Sequence, residues 1–246
     1  MSKLVLLNTR TFAGAVDLTG VSNKATIGAK VDGVDVTNYG SAGWTELLGG
    51  LAATDIAIAG FFESGLPGVT TFEDPELFAQ FGAVGPWTMA PDGMADSAVT
   101  YLTNALECTY QVGDEVGKAA PFEATAAGVT KLVRGVIGHP PGTARTATGT
   151  GTANQVGALT ANQSLYCNLH VYSVSGTTPS ITVRIESDNA VGFPSPVTVG
   201  TFTAATGLGG QHMRIAGPIT DDWFRAAWTI SGTTPSFLFV VSFGRA

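Results

Sequence analysis

Apolar and polar residues alternate with period two through most of this chain, the pattern of half-buried β-strands. Ala25, Ile27, Ala29 and Val31 share one face, with Lys24, Thr26 and Lys30 on the other. Asp32-Gly33 reads as a tight hairpin turn into Val34-Asp35-Val36. The Gly-rich stretch 38–50, which carries Tyr39 and Trp44, reads as a long loop or hairpin between two strands. Ile56, Ile58 and Phe62 then point one way, and Ala57, Ala59 and Phe61 the other. A strand near 99–112 puts Leu102, Leu106, Cys108, Tyr110 and Val112 on one side, and a turn at 112–117 leads into a strand pair around 119–126 and 131–137.

One short helix interrupts the alternation. Asp74 suits a cap, Pro75 the first helical position and Glu76 the positive helix end. Leu77, Phe78 and Phe81 form the apolar face that follows. In the second half the hexapeptide Ser-Gly-Thr-Thr-Pro-Ser occurs at 175–180 and again at 231–236, each time between strand-like segments. Gly and Pro supply turn dihedrals, so the repeat predicts two similar hairpins in an antiparallel β-sandwich. Leu165, Cys167, Leu169, Val171, Val183, Ile185, Phe224, Trp228 and Ile230 face its core, and 237–243, apolar on both faces, reads as a central or covered strand. The low-complexity run 143–152 suggests a boundary. The expected organisation is an all-β chain: a first domain at 1–142 with one short flanking helix, a linker at 143–155, and a C-terminal antiparallel β-sandwich at 156–246 that faces outward.

Charge changes the picture more than composition does. Between Lys30 and Lys118 there is no Lys or Arg, while the interval holds Asp32, Asp35, Glu46, Asp55, Glu63, Glu73, Asp74, Glu76, Asp92, Asp96, Glu107, Asp114 and Glu115. Such a stretch cannot hold phosphate by counterion release, but polyanions can pass it without adhering. Residues 141–246 are near neutral, with Arg145, Arg184, Arg214, Arg225 and Arg245 against Glu186, Asp188, Asp221 and Asp222. Charged residues make up only 13% of the chain and Gly accounts for 32 of 246 positions, consistent with a surface that meets other protein, or with a turn-rich all-β protein.

Candidate chemistry is sparse. His139, His170 and His212 lie in separate segments without ligand spacing and read as surface or turn histidines. Cys108 and Cys167 fall on apolar faces and read as buried free thiols. No metal, nucleotide or hydrolase motif is present, so neither a catalytic residue nor a cofactor is nominated and an enzyme is not expected. The apolar run at the N-terminus is too short for a signal peptide and no stretch reaches the ~18 apolar residues of a membrane span, so synthesis in a cytoplasm without bilayer insertion is expected. Trp223, out of phase with Phe224 and Trp228 and close to Arg225, is a candidate contact residue of the C-terminal half.

The order of elements over about residues 4–140 resembles the tail tube (major tail) proteins of long-tailed bacteriophages. The segment Val36-Thr37-Asn38-Tyr39-Gly40 and the strand Leu132-Val133-Arg134-Gly135 carry most of the likeness. The resemblance implies a β-sandwich with one flanking helix, assembled in the virion tail as sixfold rings stacked into a hollow tube. Subunits would extend each other's sheets, and the tube would surround a tape-measure protein and later conduct double-stranded DNA. The loop holding Tyr39, Trp44, Leu47 and Leu48 would reach the next ring, as would the N-terminal segment. Glu46, Asp55, Glu63 and Glu107 are candidates to line an anionic lumen. The alternatives are a capsid decoration or tail-tip protein, and a module whose C-terminal sandwich binds a host-surface glycan.

Overall fold

The computed structural model describes residues 5–63 and 73–246. The chain is all-β with one short helix, as its alternation predicts. The strands are β1 (Arg10–Ala13), β2 (Val16–Asp17), β3 (Ser22–Asp35), β4 (Leu47–Phe61), β5 (Val84–Ala90), β6 (Val99–Val112), β7 (Pro121–Gly128), β8 (Val133–His139), β9 (Gly149–Thr150), β10 (Asn154–Gln155), β11 (Ser164–Asp188), β12 (Val197–Thr201), β13 (Gly209–Ala216) and β14 (Trp223–Arg245). Helix α1 (Glu73–Gln80) lies between β4 and β5. These strands pair antiparallel in one continuous network whose main path runs β12-β11-β14-β8-β6-β5-β1-β2, with β3, β4 and β7 branching from β6.

Two main apolar cores form where the alternation points inward. Ala13, Leu18, Ile56, Ile58, Trp87, Ala105, Phe122 and Ala124 fill the first. Leu165, Cys167, Leu169, Val183, Ile185, Phe224, Trp228, Phe239 and Phe243 fill the second. Ile56 and Ile58 face in while Ala57 and Phe61 do not, and the inward residues of β11 and β14 are those the pattern selects.

Several local expectations are corrected. Asp32-Gly33 is no turn: β3 runs through it with a register shift between Val31 and Gly33, and the chain reverses farther on, at 36–46. Among the described residues of α1 only Leu77 is buried, whereas Phe78 on the helix and Phe81 just after it stay 67% and 56% exposed. The side chains of Glu73, Pro75 and Glu76 lie outside the described residues, as do residues 1–4 of the N-terminal segment expected to reach a neighbouring ring. Strands β7 and β8 do not pair with each other; each pairs with a different end of β6. Cys108 is exposed, because β6 shifts register there: Glu107 lies opposite Ala126 and Thr109 opposite Thr125. The extra residue switches the inward face from Ala105 to Tyr110. Only Cys167 is buried, and burial raises its thiol pKa.

The repeated hexapeptides also differ from expectation. They are not hairpin turns. They lie opposite one another inside the long β11–β14 ribbon, with Ser175 across from Ser236, Thr177 from Thr233 and Ser180 from Ser231. Each carries a glycine and a threonine with positive φ, Gly176 (115°) with Thr178 (49°) and Gly232 (119°) with Thr234 (50°). Each glycine packs on the other copy: a Cβ at Gly176 would lie 2.7 Å from Thr234 O, and one at Gly232 2.8 Å from Thr178 O. The register shifts at this crossing, and residues from both ends of the ribbon share one core, where Trp228 and Phe239 meet at 5.4 Å between ring centres. Gly176→Ala is therefore expected to cost about 2 kcal/mol in urea unfolding. Gly192→Ala, with nothing within 4 Å, should stay within about 0.5 kcal/mol of wild type.

The low-complexity stretch after β8 lies along β14. Arg145 exchanges both backbone hydrogen bonds with Phe237 (2.8 and 3.0 Å), β9 and β10 pair with β14, and Trp228 Nε1 donates to Ala147 O at 3.1 Å.

Candidate functional site

The most exposed element is an arm made by the outer halves of β3 and β4. Strand β4 has β7 as its second neighbour only from Asp55 to Phe61, and β3 has no neighbour besides β4. Beyond Ala29 and Thr54 the pair is a free two-stranded ribbon. At ~3.4 Å per residue it projects roughly 25 Å.

Its tip is internally ordered. Asn38 caps a 3-10 turn at Tyr39–Ser41, accepting from Gly40 N (2.8 Å) while its own N donates to Ser41 Oγ (3.1 Å). Ala42 takes a positive φ of 49° to leave the turn. Val36 N donates to Glu46 O (2.9 Å), and Glu46 N to Thr37 Oγ1 (3.0 Å). Thr37's hydroxyl and then its amide hold the Asp35 carboxyl below the usual range.

On this fixed frame the side chains point to solvent. Tyr39, Trp44, Leu47 and Leu48 are all exposed, the last three by 80%, 62% and 61%. Val31, Val34, Val36 and Leu51 are exposed as well, so apolar side chains occupy both faces of the ribbon. The sequence nominated the first four and missed the rest, because Val31 was assigned to a core face that the arm leaves behind.

The lumen candidates separate. Glu46 sits at the arm tip and Asp55 at its base, where it pairs with Lys30 (3.2 Å). Glu63 is exposed after the end of β4. Glu107 is a correction: it is 1% exposed on the inward face of β6, and neither carboxyl oxygen has a hydrogen-bond partner. Burial raises its pKa from 4.5 to about 8, so it is a neutral acid inside the protein and cannot charge a wetted wall. Among the acids of 31–117, Glu115 pairs with Lys118 (3.0 Å) as Asp55 does with Lys30, both as exposed surface pairs. In the C-terminal half Trp223 is half-buried between Gln155 and Asp188. Arg225 is committed to buried Glu186 (Nη2 at 2.8 Å, Nε at 2.9 Å) and lies over the Phe193 ring at 4.2 Å.

A second site was invisible in the sequence. His170 and Asn168 on β11, expected at the surface or unremarked, are fully buried where β11, β13 and β14 meet β5 and β6. The hydrogen-bond directions there follow from chemistry. His170 Nδ1 faces Gly14 O at 2.7 Å, which can only accept, so Nδ1 carries the proton and Nε2 accepts from the Thr88 hydroxyl (2.8 Å). Thr88 Oγ1 in turn accepts from Ser242 (3.2 Å) and Asn168 Nδ2 (3.1 Å). Asn168 Nδ2 also reaches Trp87 O (2.9 Å) and Thr103 O (3.2 Å), and its Oδ1 accepts from His212 Nδ1 (2.7 Å).

His139 is buried as well. Its Nδ1 donates to Phe239 O (3.0 Å), its Nε2 accepts from Arg145 Nε (2.9 Å), and its ring stacks on Phe239 at 4.1 Å. Desolvation lowers the pKa of His139 and of His170 to about 4, and lowers that of His212 too. The surface reading is wrong for His139 and His170, and His212 is half-buried, because strand parity cannot tell a solvent-facing side from one covered by another sheet.

Among the described residues no cluster of metal-ligating side chains occurs, and no helix is long and apolar enough to cross a membrane. No family model matches the chain, and no curated protein matches it. Among solved structures it is similar to a chain in the virion of a native gene transfer agent particle, at 20% identity over 46% of this chain and 82% of that one, TM-score 0.36. It is similar to a chain in the tail of an empty gene transfer agent particle with C6 symmetry, at 21% identity over 46% and 80%, TM-score 0.37. The Dit protein of phage SPP1, described as a paradigm of the hub adsorption apparatus in phages infecting Gram-positive hosts, matches at 10% identity over 97% and 99%, TM-score 0.38. These scores are too low to establish a shared fold.

Proposed function

We propose that this protein is a structural subunit of a long-tailed phage virion that polymerises with itself into stacked rings, forming a tail tube through which double-stranded DNA passes. The observation that carries this reading is the arm. A two-stranded ribbon with no third strand is marginal in water by itself, yet this one is long, ordered at its tip and studded with exposed apolar side chains. Among the described residues of one subunit the outer arm has no further strand beside it; a neighbouring copy in a polymer would supply one. The residues that resemble tail tube proteins, 36–40 and 132–135, lie at the arm tip and at the start of β8. Exposed acids of the cation-free stretch, such as Asp32, Asp35 and Asp114, add an anionic field that nucleic acid does not adhere to.

Purified protein at rising concentration is expected to form rings and then tubes in negative-stain micrographs. A monodisperse monomer or trimer at every concentration would discard this reading in favour of a decoration or tail-tip protein. Trp44→Ala is expected to weaken assembly by at least about 2 kcal/mol, roughly 30-fold, because a central aromatic is the usual anchor of an interface. Sedimentation velocity across a dilution series measures this. Circular dichroism of the variant should be unchanged, since Trp44 is exposed in the subunit.

A further inference from the structure

One end of the sheet gathers cations that have no carboxylate partner. Lys131 Nζ and Arg214 Cζ lie 5.5 and 5.9 Å from the centre of the Tyr166 ring. Arg134 and Arg245 line a groove of about 290 Å³ beside Gly244, the register partner of Tyr166. All four cations are exposed, and among the described residues none forms an ion pair. Arg245 Nη1 donates to Ala158 O (3.0 Å) and Arg214 Nε to Ser164 Oγ (3.0 Å), which fixes both stems and leaves further N–H groups free. One carboxylate, Asp222, reaches the groove wall, where it is held by Gln155 Nε2 (2.7 Å). In a chain of net charge −7 this is an unusual concentration of positive charge.

The arm has the opposite character. From 31 to 52 it carries Asp32, Asp35 and Glu46 and no base, and its exposed faces are apolar and aromatic. Within one copy none of these acids forms an ion pair with any of the four cations.

We infer that the acidic arm of one copy docks on the Lys131–Arg134–Arg214–Arg245 end of another, its Asp32, Asp35 and Glu46 facing those exposed cations. The surfaces are different patches of the same chain, so the contact is head-to-tail and propagates into a ring or a stack, as a self-complementary patch would not. Charge complementarity sets the partner and the register. A nucleic acid fits less well, because four cations at one end of a sheet make no stripe along which a duplex could lie. This inference rests on the self-assembly proposed above and names the surface that receives the arm.

The test is a charge swap in the full chain. Lys131→Glu/Arg134→Glu removes two cations whose side chains make no hydrogen bond or ion pair among the described residues, and Asp32→Lys/Glu46→Lys reverses the arm without touching the Asp35–Thr37 bond. Each pair is expected to lower the apparent association constant by about tenfold or more at 50 mM salt, and the four changes together to restore it to within about threefold. Wild-type assembly should weaken as salt rises. If the first pair leaves assembly unchanged while Trp44→Ala abolishes it, the docking surface is wrong and the arm-driven polymer stands. If the wild-type chain never assembles, the polymer reading falls and this inference with it. If wild-type protein binds a 20-bp duplex at 150 mM salt through Lys131 and Arg134, with assembly indifferent to them, the cluster serves nucleic acid and the inference is overturned.

Discussion

Asn168→Ala is expected to lower the free energy of unfolding by about 3 kcal/mol in urea titration. The side chain is fully buried and satisfies groups from both halves of the chain at once, namely the carbonyls of Trp87 and Thr103, the Thr88 hydroxyl and the His212 Nδ1–H. Removing it leaves several buried polar groups without a partner. Each such group costs about 1–3 kcal/mol, and water cannot refill a site packed this closely. An exposed control, Asn23→Ala, should stay within about 0.5 kcal/mol of wild type. A loss below about 1 kcal/mol at Asn168 would mean that these hydrogen bonds do not couple the halves.

Stability is expected to peak near pH 6.5 and to fall on both sides, for opposite reasons. His139 and His170 have folded pKa values of about 4 against an ordinary 6.5. A depressed value means that the unfolded chain takes up the proton first. Their contribution is therefore complete above pH 6.5 and is lost as pH falls towards 4. At about 1.4 kcal/mol per pH unit this amounts to about 3 kcal/mol for each ring. The geometry agrees. A proton on His170 Nε2 would face the Thr88 hydroxyl that now donates to it, and one on His139 Nε2 would face the Arg145 N–H. His212 titrates in the same direction.

Glu107 acts oppositely. Its folded pKa is raised from 4.5 to about 8 by burial, so its contribution is complete below pH 4.5 and is lost as pH rises through 8. Between pH 4.5 and 6.5 two histidines outweigh one carboxyl, so acid still destabilises. Between pH 6.5 and about 8 Glu107 sets the slope; at higher pH the buried Cys167 thiol, whose pKa burial also raises, adds to the loss. Glu107→Gln, which mimics the neutral acid, is expected to add about 3 kcal/mol at pH 7 and almost nothing at pH 4.5. Thermal melts across pH 4–8 would show the loss above pH 6.5 disappear in the variant. A parallel curve shifted equally at every pH would refute the assignment to proton linkage.

Glu107 also shows how far sequence can be read. Its position in a strand was legible, but its environment was not. Period two marks two faces of a strand, and it does not say which face is wet when both are covered, as around Leu102 and Thr103. The same ambiguity hid His170 and Asn168, and the bulge at Cys108 inverted the parity beyond it. The arm tip was legible for a different reason. Tyr39 and Trp44 stand in the Gly-rich reversal, and Leu47 and Leu48 open β4 where it has left the body and has only β3 beside it.

The sequence alone determined the all-β class, the inward faces of β11 and β14, and the uncompensated negative charge of 31–117. These depend on local alternation and on composition, which a linear string carries in full. The tertiary structure decided that the two hexapeptides cross instead of turning, that β3 and β4 leave the body as an arm, and that Lys131 and Arg214 come to Tyr166 while Arg134 and Arg245 line a groove at the same end of the sheet. Each depends on which strands become neighbours, a choice made by pairing and packing between segments up to 156 residues apart, and local periodicity holds no record of it.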